Sequence, residues 1–127
     1  MIFLDTSVLV EVITGRLEQA RVLRRLIDQG ERLAVSSLVL YEWLRGPRTP
    51  DQIDLQQALV SLDEAVPFGP REAGIAARLY RDVPRPRRRE VDLAIAATVI
   101  THDGTLWTLD AADFRDVPGL RLYAPPA

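Results

Sequence analysis

Ile2-Phe3-Leu4-Asp5-Thr6-Ser7 is the stretch on which the reading of this chain turns. Three successive apolar residues fit a short buried strand. Asp, Thr and Ser favour helix starts, because their side-chain oxygens accept from the unpaired N–H groups of a first turn. A strand that runs straight into a helix start is the beginning of a β–α unit. It also leaves Asp5 at the carboxyl end of a strand, where open α/β sheets bind their ligands. Taken alone, Asp5 serves equally well as a helix cap or as a functional acid.

Working outward, the same alternation continues. Val8 to Ile13 reads as a short helix that stops near Gly15. Leu17, Ala20, Leu23, Leu26 and Ile27 form a helical stripe ended by Gly30. Leu33-Ala34-Val35 reads as a second buried strand, and Ser36-Ser37 caps a helix carrying Tyr41, Glu42, Trp43 and Leu44. Helical patterns follow at about 52–62 and from Pro70 to about Arg81, with Val66-Pro67-Phe68 as an edge segment between them. Asp82 to Arg89 is a basic loop, Glu90 to Ile100 an Ala-rich helix, and Thr105 to Leu109 a strand. Leu120 to Tyr123 completes the series as a candidate last strand. Strands alternating with helices predict an α/β fold with a parallel sheet covered on both faces.

The chain has 127 residues, a length suited to one compact domain spanning 1–127. Its 47% hydrophobic and 27% charged residues are an ordinary globular composition. All 16 basic residues are Arg and none is Lys, so each cationic contact is a planar guanidinium suited to gripping phosphate. With no Cys, disulfides and thiolate metal sites are excluded, and the only His is His102. Any metal must therefore be held mainly by oxygen. Asp5 interrupts the N-terminal apolar run, and Leu93 to Ile100 is too short to span a bilayer. The expectation is a cytoplasmic protein with no membrane partner.

The acids fall in a pattern. Asp5 follows the first strand, Asp110 follows the Thr105–Leu109 strand, and Asp113 lies one helical turn later. Glu42 sits on the helix after the second strand, and Asp92 opens the long apolar helix. All five map to one end of the sheet. Clustered carboxylates repel and call for protons or a metal, and oxygen-only donors select Mg²⁺ or Mn²⁺. Such an ion activates water toward a phosphodiester without His or Cys. Each acid also has a plainer reading. Asp92 favours the positive end of its helix dipole, and Asp110 and Asp113 suit a turn. Their convergence, not any single position, carries the argument.

These pieces resemble the PIN-domain nucleases, and most closely the VapC-type toxins of bacterial toxin–antitoxin pairs. The resemblance rests on Leu4-Asp5-Thr6-Ser7, on Glu42 within Leu40-Tyr41-Glu42-Trp43, and on Asp92 ahead of Ile95-Ala96-Ala97-Thr98. It is completed by Thr108-Leu109-Asp110-Ala111-Ala112-Asp113-Phe114, and it covers essentially the whole chain. It implies a PIN-like three-layer α/β/α domain with a central, mostly parallel sheet, and a Mg²⁺- or Mn²⁺-dependent endoribonuclease. By motif match, Asp5, Glu42 and Asp92 are metal-holding acids and Asp113 is the fourth, with Thr6 and Ser7 in support. Asp110 stands where family members often carry Asn, so Asp110, Asp113 or both complete the set. The resemblance also implies an RNA substrate (tRNA or rRNA), a homodimer, and a cognate antitoxin that puts a basic side chain into the acidic pocket.

Setting aside four site acids turns the net charge of −2 into +2 for the remaining surface. Arg78, Arg81, Arg85, Arg87, Arg88 and Arg89 crowd just before Asp92, and the last four are expected to hold RNA phosphates. Arg45 and Arg48 are weaker candidates for that role. Trp43, Trp107 and Tyr123 are assigned to core or interface, and His102 to capping its helix. Two other readings compete: a non-toxin RNA-processing nuclease, and a non-catalytic RNA- or protein-binding module of the same fold. A phosphoacceptor receiver also has an acidic pocket at a sheet edge, but it needs a Lys that this chain lacks.

Overall fold

The structure, a computed structural model, describes residues 1–126. β1 (Ile2–Leu4) is the centre of a parallel three-stranded sheet, with β2 (Leu33–Ala34) on one side and β3 (Thr105–Trp107) on the other. Ile2 and Phe3 pair with Leu33 and Ala34; Ile2, Phe3 and Leu4 pair with Thr105, Leu106 and Trp107. Successive strand residues point to opposite faces, and all of β1 is buried. Both faces of the sheet are therefore covered, as a parallel sheet requires. This is the expected three-layer α/β/α arrangement.

The connecting helices are α1 (Thr6–Ile13), α2 (Leu17–Asp28), α3 (Ser37–Leu44), α4 (Pro50–Leu59), α5 (Pro70–Asp82) and α6 (Glu90–Thr101). α1 packs on β1, α2 and α3, and α6 packs on α5, α3 and β3. In α6, Leu93, Ile95, Ala96, Ala97, Thr98 and Val99 are all buried, so this helix is core on most of its circumference. Trp43 and Trp107 are fully buried, which confirms their place in the core. Tyr123 packs edge-on against Trp107 at 5.9 Å between ring centres.

Several boundaries differ from expectation, each for a local reason. α1 begins at Thr6, because Asp5 is already its cap position. α4 begins at Pro50 rather than near 52: Thr49 and Gln52 exchange reciprocal side-chain to backbone bonds, and Pro at the first helical position loses no hydrogen bond. Leu62 lies beyond its end, in a short 3₁₀ turn (Leu62–Glu64). β3 stops at Trp107, because Thr108 turns its side chain to other work. The segments around Val66 and Leu122 each contribute one parallel bridge, to Ser36 and to Leu106, instead of full strands. They extend the sheet at both edges by single hydrogen-bonded steps. Among the described residues, no helix is long and apolar enough to cross a membrane.

Candidate active site

The register of β1 on β3 places the residues after the two strands side by side. Leu4 pairs with Trp107, so Asp5 and Thr108 emerge together at the carboxyl edge, and the Asp5 N–H donates to the Trp107 carbonyl at 2.9 Å. Asp5 is only 5% exposed. It is the cap residue of α1, yet its carboxylate accepts no capping bond from that helix. Instead, Asp5 Oδ2 accepts from Thr108 Oγ1 at 2.7 Å and from Ser7 Oγ at 3.1 Å. The Asp5 carboxylate is thus bound by a hydroxyl of its own helix and by one from the neighbouring strand end. Thr108 is a site residue that the sequence reading does not single out. A signal for it exists, because it follows a strand end beside Asp5.

Glu42 reaches the same edge from α3, which starts with Ser36 Oγ accepting from the Val39 N–H at 3.1 Å. Thr6 Oγ1 donates to Glu42 Oε1 at 2.6 Å across 36 residues of sequence. Arg45, just past the end of α3, approaches the other oxygen at 3.7 Å. Ser7 thus binds Asp5, whereas Thr6 binds Glu42.

Asp92 lies in the first turn of α6. Its carboxyl pKa is pushed up to about 6, first by burial and then by the charges of Asp5, Glu42 and Asp113; Arg89 opposes this. Burial likewise pushes Asp5 up, and the charge of Glu42 adds to it, while hydrogen bonds from Thr108, the Thr6 backbone and Ser7 pull it down. Asp92 therefore feels Asp5, Glu42 and Asp113 as like charges, and Asp5 feels Glu42. Asp110 stands apart. Its side chain is exposed, and its N–H donates to Thr108 Oγ1 at 3.0 Å, bracing the residue that holds Asp5.

The donor set is wholly carboxylate and hydroxyl, which fits Mg²⁺ or Mn²⁺ and disfavours softer metals. Burial and mutual repulsion raise the proton affinity of Asp5 and Asp92, the condition a dication would relieve. Among the described residues, no three acidic or histidine side chains close to direct-ligation spacing. Mg²⁺ itself uses one or two carboxylates and keeps several waters, so the chemistry fits a loosely held ion more closely than a tight cage.

The basic loop borders this group. Arg85, Arg87 and Arg88 are exposed, and Arg85 and Arg88 adopt positive φ (54° and 67°). Arg89 is turned inward and pairs with both oxygens of Asp116. A cleft of about 450 Å³ lies between the loop and the segment carrying Asp113, lined by Pro84, Arg85, Arg89, Ala112, Asp113 and Asp116. His102 ends α6 as expected and stands 3.6 Å from Glu72, outside the acid group.

A buried Asp5 with half-buried Glu42 and Asp92 near the carboxyl edge of a parallel sheet makes this an α/β protein with an oxygen-donor site. Comparison with known proteins gives the particular family. The PIN domain family model matches residues 2–120, so the chain belongs to the PIN-domain family. It is similar to ribonuclease VapC19 of Mycobacterium tuberculosis, at 34% identity over 95% of this chain and 98% of that protein. It is also similar to ribonuclease VapC of Rickettsia bellii, at 28% identity over 98% and 96% of the two chains. Among solved structures, the fold matches a chain of DNA-bound VapBC from Salmonella typhimurium at TM-score 0.77 and 19% identity, covering 96% of both chains. It matches VapBC2 from Rickettsia felis, bound to a promoter DNA fragment, at TM-score 0.72 and 22% identity, covering 97% and 98%.

Proposed function

We propose that this chain is a divalent-metal-dependent endoribonuclease acting as the toxin of a toxin–antitoxin pair, with the whole chain forming one nuclease domain. One observation carries the reading: a buried Asp5 whose carboxylate is shared by the Thr108 and Ser7 hydroxyls, near an Asp92 that feels the charges of Asp5, Glu42 and Asp113. Asp5, Glu42, Asp92 and Asp113 would hold Mg²⁺ or Mn²⁺, and Asp110 would support the set through Thr108. When bound, the ion would supply water activation and charge neutralisation at a phosphodiester.

The protein's own residues supply the rest. Thr108 and Ser7 fix which Asp5 oxygen is free, and Thr6 fixes Glu42. The raised proton affinity of Asp92 keeps it poised between proton and metal. Arg85, Arg87 and Arg88 would guide the phosphate backbone toward the cleft. The relatives named ribonuclease VapC support an RNA substrate, and the VapBC structures support an antitoxin partner; a basic side chain of that partner would meet the acidic pocket. A homodimer in the cytoplasm fits the same reading.

Purified protein incubated with total tRNA, with Mg²⁺ or Mn²⁺ against EDTA, tests it. Cleavage that needs metal and disappears in Asp5→Asn is the expected result. RNA left intact under every metal condition, yet retained in a binding assay, would favour the non-catalytic module. A small gene directly upstream that neutralises the protein on co-expression would place it among toxins, and its absence would favour RNA processing.

A further inference from the structure

Arg89 is the most heavily committed cation in the structure. Its Nη1 donates to Pro84 O at 3.1 Å and to Asp116 Oδ2 at 2.9 Å. Its Nη2 donates to Asp113 O at 2.9 Å and to Asp116 Oδ1 at 2.6 Å. A guanidinium has five N–H donors, of which the two Nη groups carry four. All four are used within the chain, and the side chain is only 19% exposed. An arginine so occupied has little left to offer an RNA phosphate.

The same residue belongs to two frameworks at once. Its backbone begins α6, where its carbonyl accepts from the Leu93 N–H at 2.8 Å, three residues before Asp92 in sequence. Its side chain crosses 24 to 27 residues to the segment carrying Asp113. That segment is one 3₁₀ turn (Ala111–Asp113) in which Asp113 itself is exposed. Phe114 and Val117, just beyond it, are buried. Apolar burial fixes how deep the turn sits, but not the rotation that aims Asp113. The bond from Arg89 to the Asp113 carbonyl, braced by the bidentate Asp116 pair, supplies that constraint.

We infer that Arg89 and Asp116 together form a positioning latch that holds Asp113 against the Asp92 end of α6, and that Arg89 is not an RNA contact. The inference rests on the nuclease reading of the site. Arg89 also lowers the repulsion on Asp92, so its charge and its geometry must be separated by experiment.

Mn²⁺ binding to the RNA-free protein, measured by calorimetry, separates them. A pure charge effect moves the two single variants in opposite directions: Arg89→Ala makes the pocket more negative and tightens Mn²⁺, whereas Asp116→Asn weakens it. A latch weakens Mn²⁺ in both, by roughly 10-fold, the low end for loss of an outer partner at a metal site. The double variant should then be no worse than either single, because both open one connection. Urea unfolding of each variant confirms that the fold is intact, and the exposed, isosteric Asp116→Asn keeps the test valid if Arg89→Ala unfolds. Affinity for a single-stranded RNA in EDTA should be unchanged in both. Tighter Mn²⁺ binding in Arg89→Ala, or RNA affinity that falls in Arg89→Ala alone with a shallower salt dependence, would overturn the latch. Wild-type protein that binds no Mn²⁺ and cleaves no RNA would instead sink the nuclease reading beneath it.

Discussion

Thr108 Oγ1 donates to Asp5 Oδ2 at 2.7 Å, joining residues 103 apart in sequence but adjacent in the sheet. The bond favours the ionised carboxylate, against the burial that favours the neutral acid. Thr108→Val keeps the shape and removes the donor. It is expected to raise the Asp5 proton affinity further, to lower cleavage by ten-fold or more at neutral pH, and to cost about 2 kcal/mol of stability, because the bond to Asp5 and the one from the Asp110 N–H are both lost. Kinetics at several pH values with a parallel denaturant melt check both. Unchanged activity would mean that Asp5 needs no help to stay ionised.

Asp5→Asn separates stability from activity. At neutral pH, folding must hold a buried carboxylate charged beside Glu42, and burial is the larger penalty. Asn retains an oxygen that can accept from Thr108 and removes the charge. The thermal midpoint at pH 7 in EDTA is expected to rise while cleavage is abolished. A midpoint several degrees lower would show that the charge is a structural asset, as a cap would be.

Thr6 and Glu42 offer a cleaner test of support. Their 2.6 Å bond joins the first turn of α1 to α3. Thr6→Val should lower activity by about 10- to 100-fold, in the range seen for outer partners at metal sites. Thr6→Ser, which keeps the hydroxyl, should restore most of it. Equal losses in both variants would point to packing of the missing methyl instead.

Asp92 sets the pH dependence. Its folded pKa of about 6 lies above the ordinary 3.8, so between those values the folded state holds a proton that the unfolded chain releases. Stability in metal-free buffer therefore falls as pH rises through that window. Asp92→Asn should be more stable than wild type at pH 7, and the difference should shrink toward pH 4. Cleavage should rise as pH passes through about 6, and more Mn²⁺ should move that rise to lower pH by competing with the proton. A flat stability difference from pH 4 to 7 would contradict the repulsion assigned to this group.

Much of this is legible in the sequence, for reasons that can be named. Ile2-Phe3-Leu4 running into Asp5 predicts both the central strand and the site at its end, because strand burial and carboxyl-edge placement act over a few residues. Glu42 and Asp92 are legible because each stands at a fixed offset from a helix start. Thr108 is not, since its role depends on β1–β3 register, a pairing between chain ends. Arg89 reads in sequence like Arg85, Arg87 and Arg88, because composition cannot tell an outward guanidinium from one folded onto Asp116. The start of α4 escapes the apolar pattern, which is weak there with Gln56 the buried residue, although Thr49-Pro50-Asp51-Gln52 carries its signal.

The three exposed arginines make the remaining prediction. Arg85, Arg87 and Arg88 project from a loop beside the cleft and, unlike Arg89, form no ion pair among the described residues. Positive φ at Arg85 and Arg88 costs energy in residues with a Cβ, so the loop is held in this shape by its surroundings, including the bond from Arg89 to Pro84 O. A loop so held presents its charges in one arrangement. Replacing all three by Ala should weaken binding to single-stranded RNA in EDTA and reduce the salt slope by about 0.7 for each phosphate no longer neutralised. Turnover at saturating RNA should change little, because these groups are absent from the acid cluster. If the slope is unchanged while turnover falls, the loop acts on the shape of the site and not on the strand.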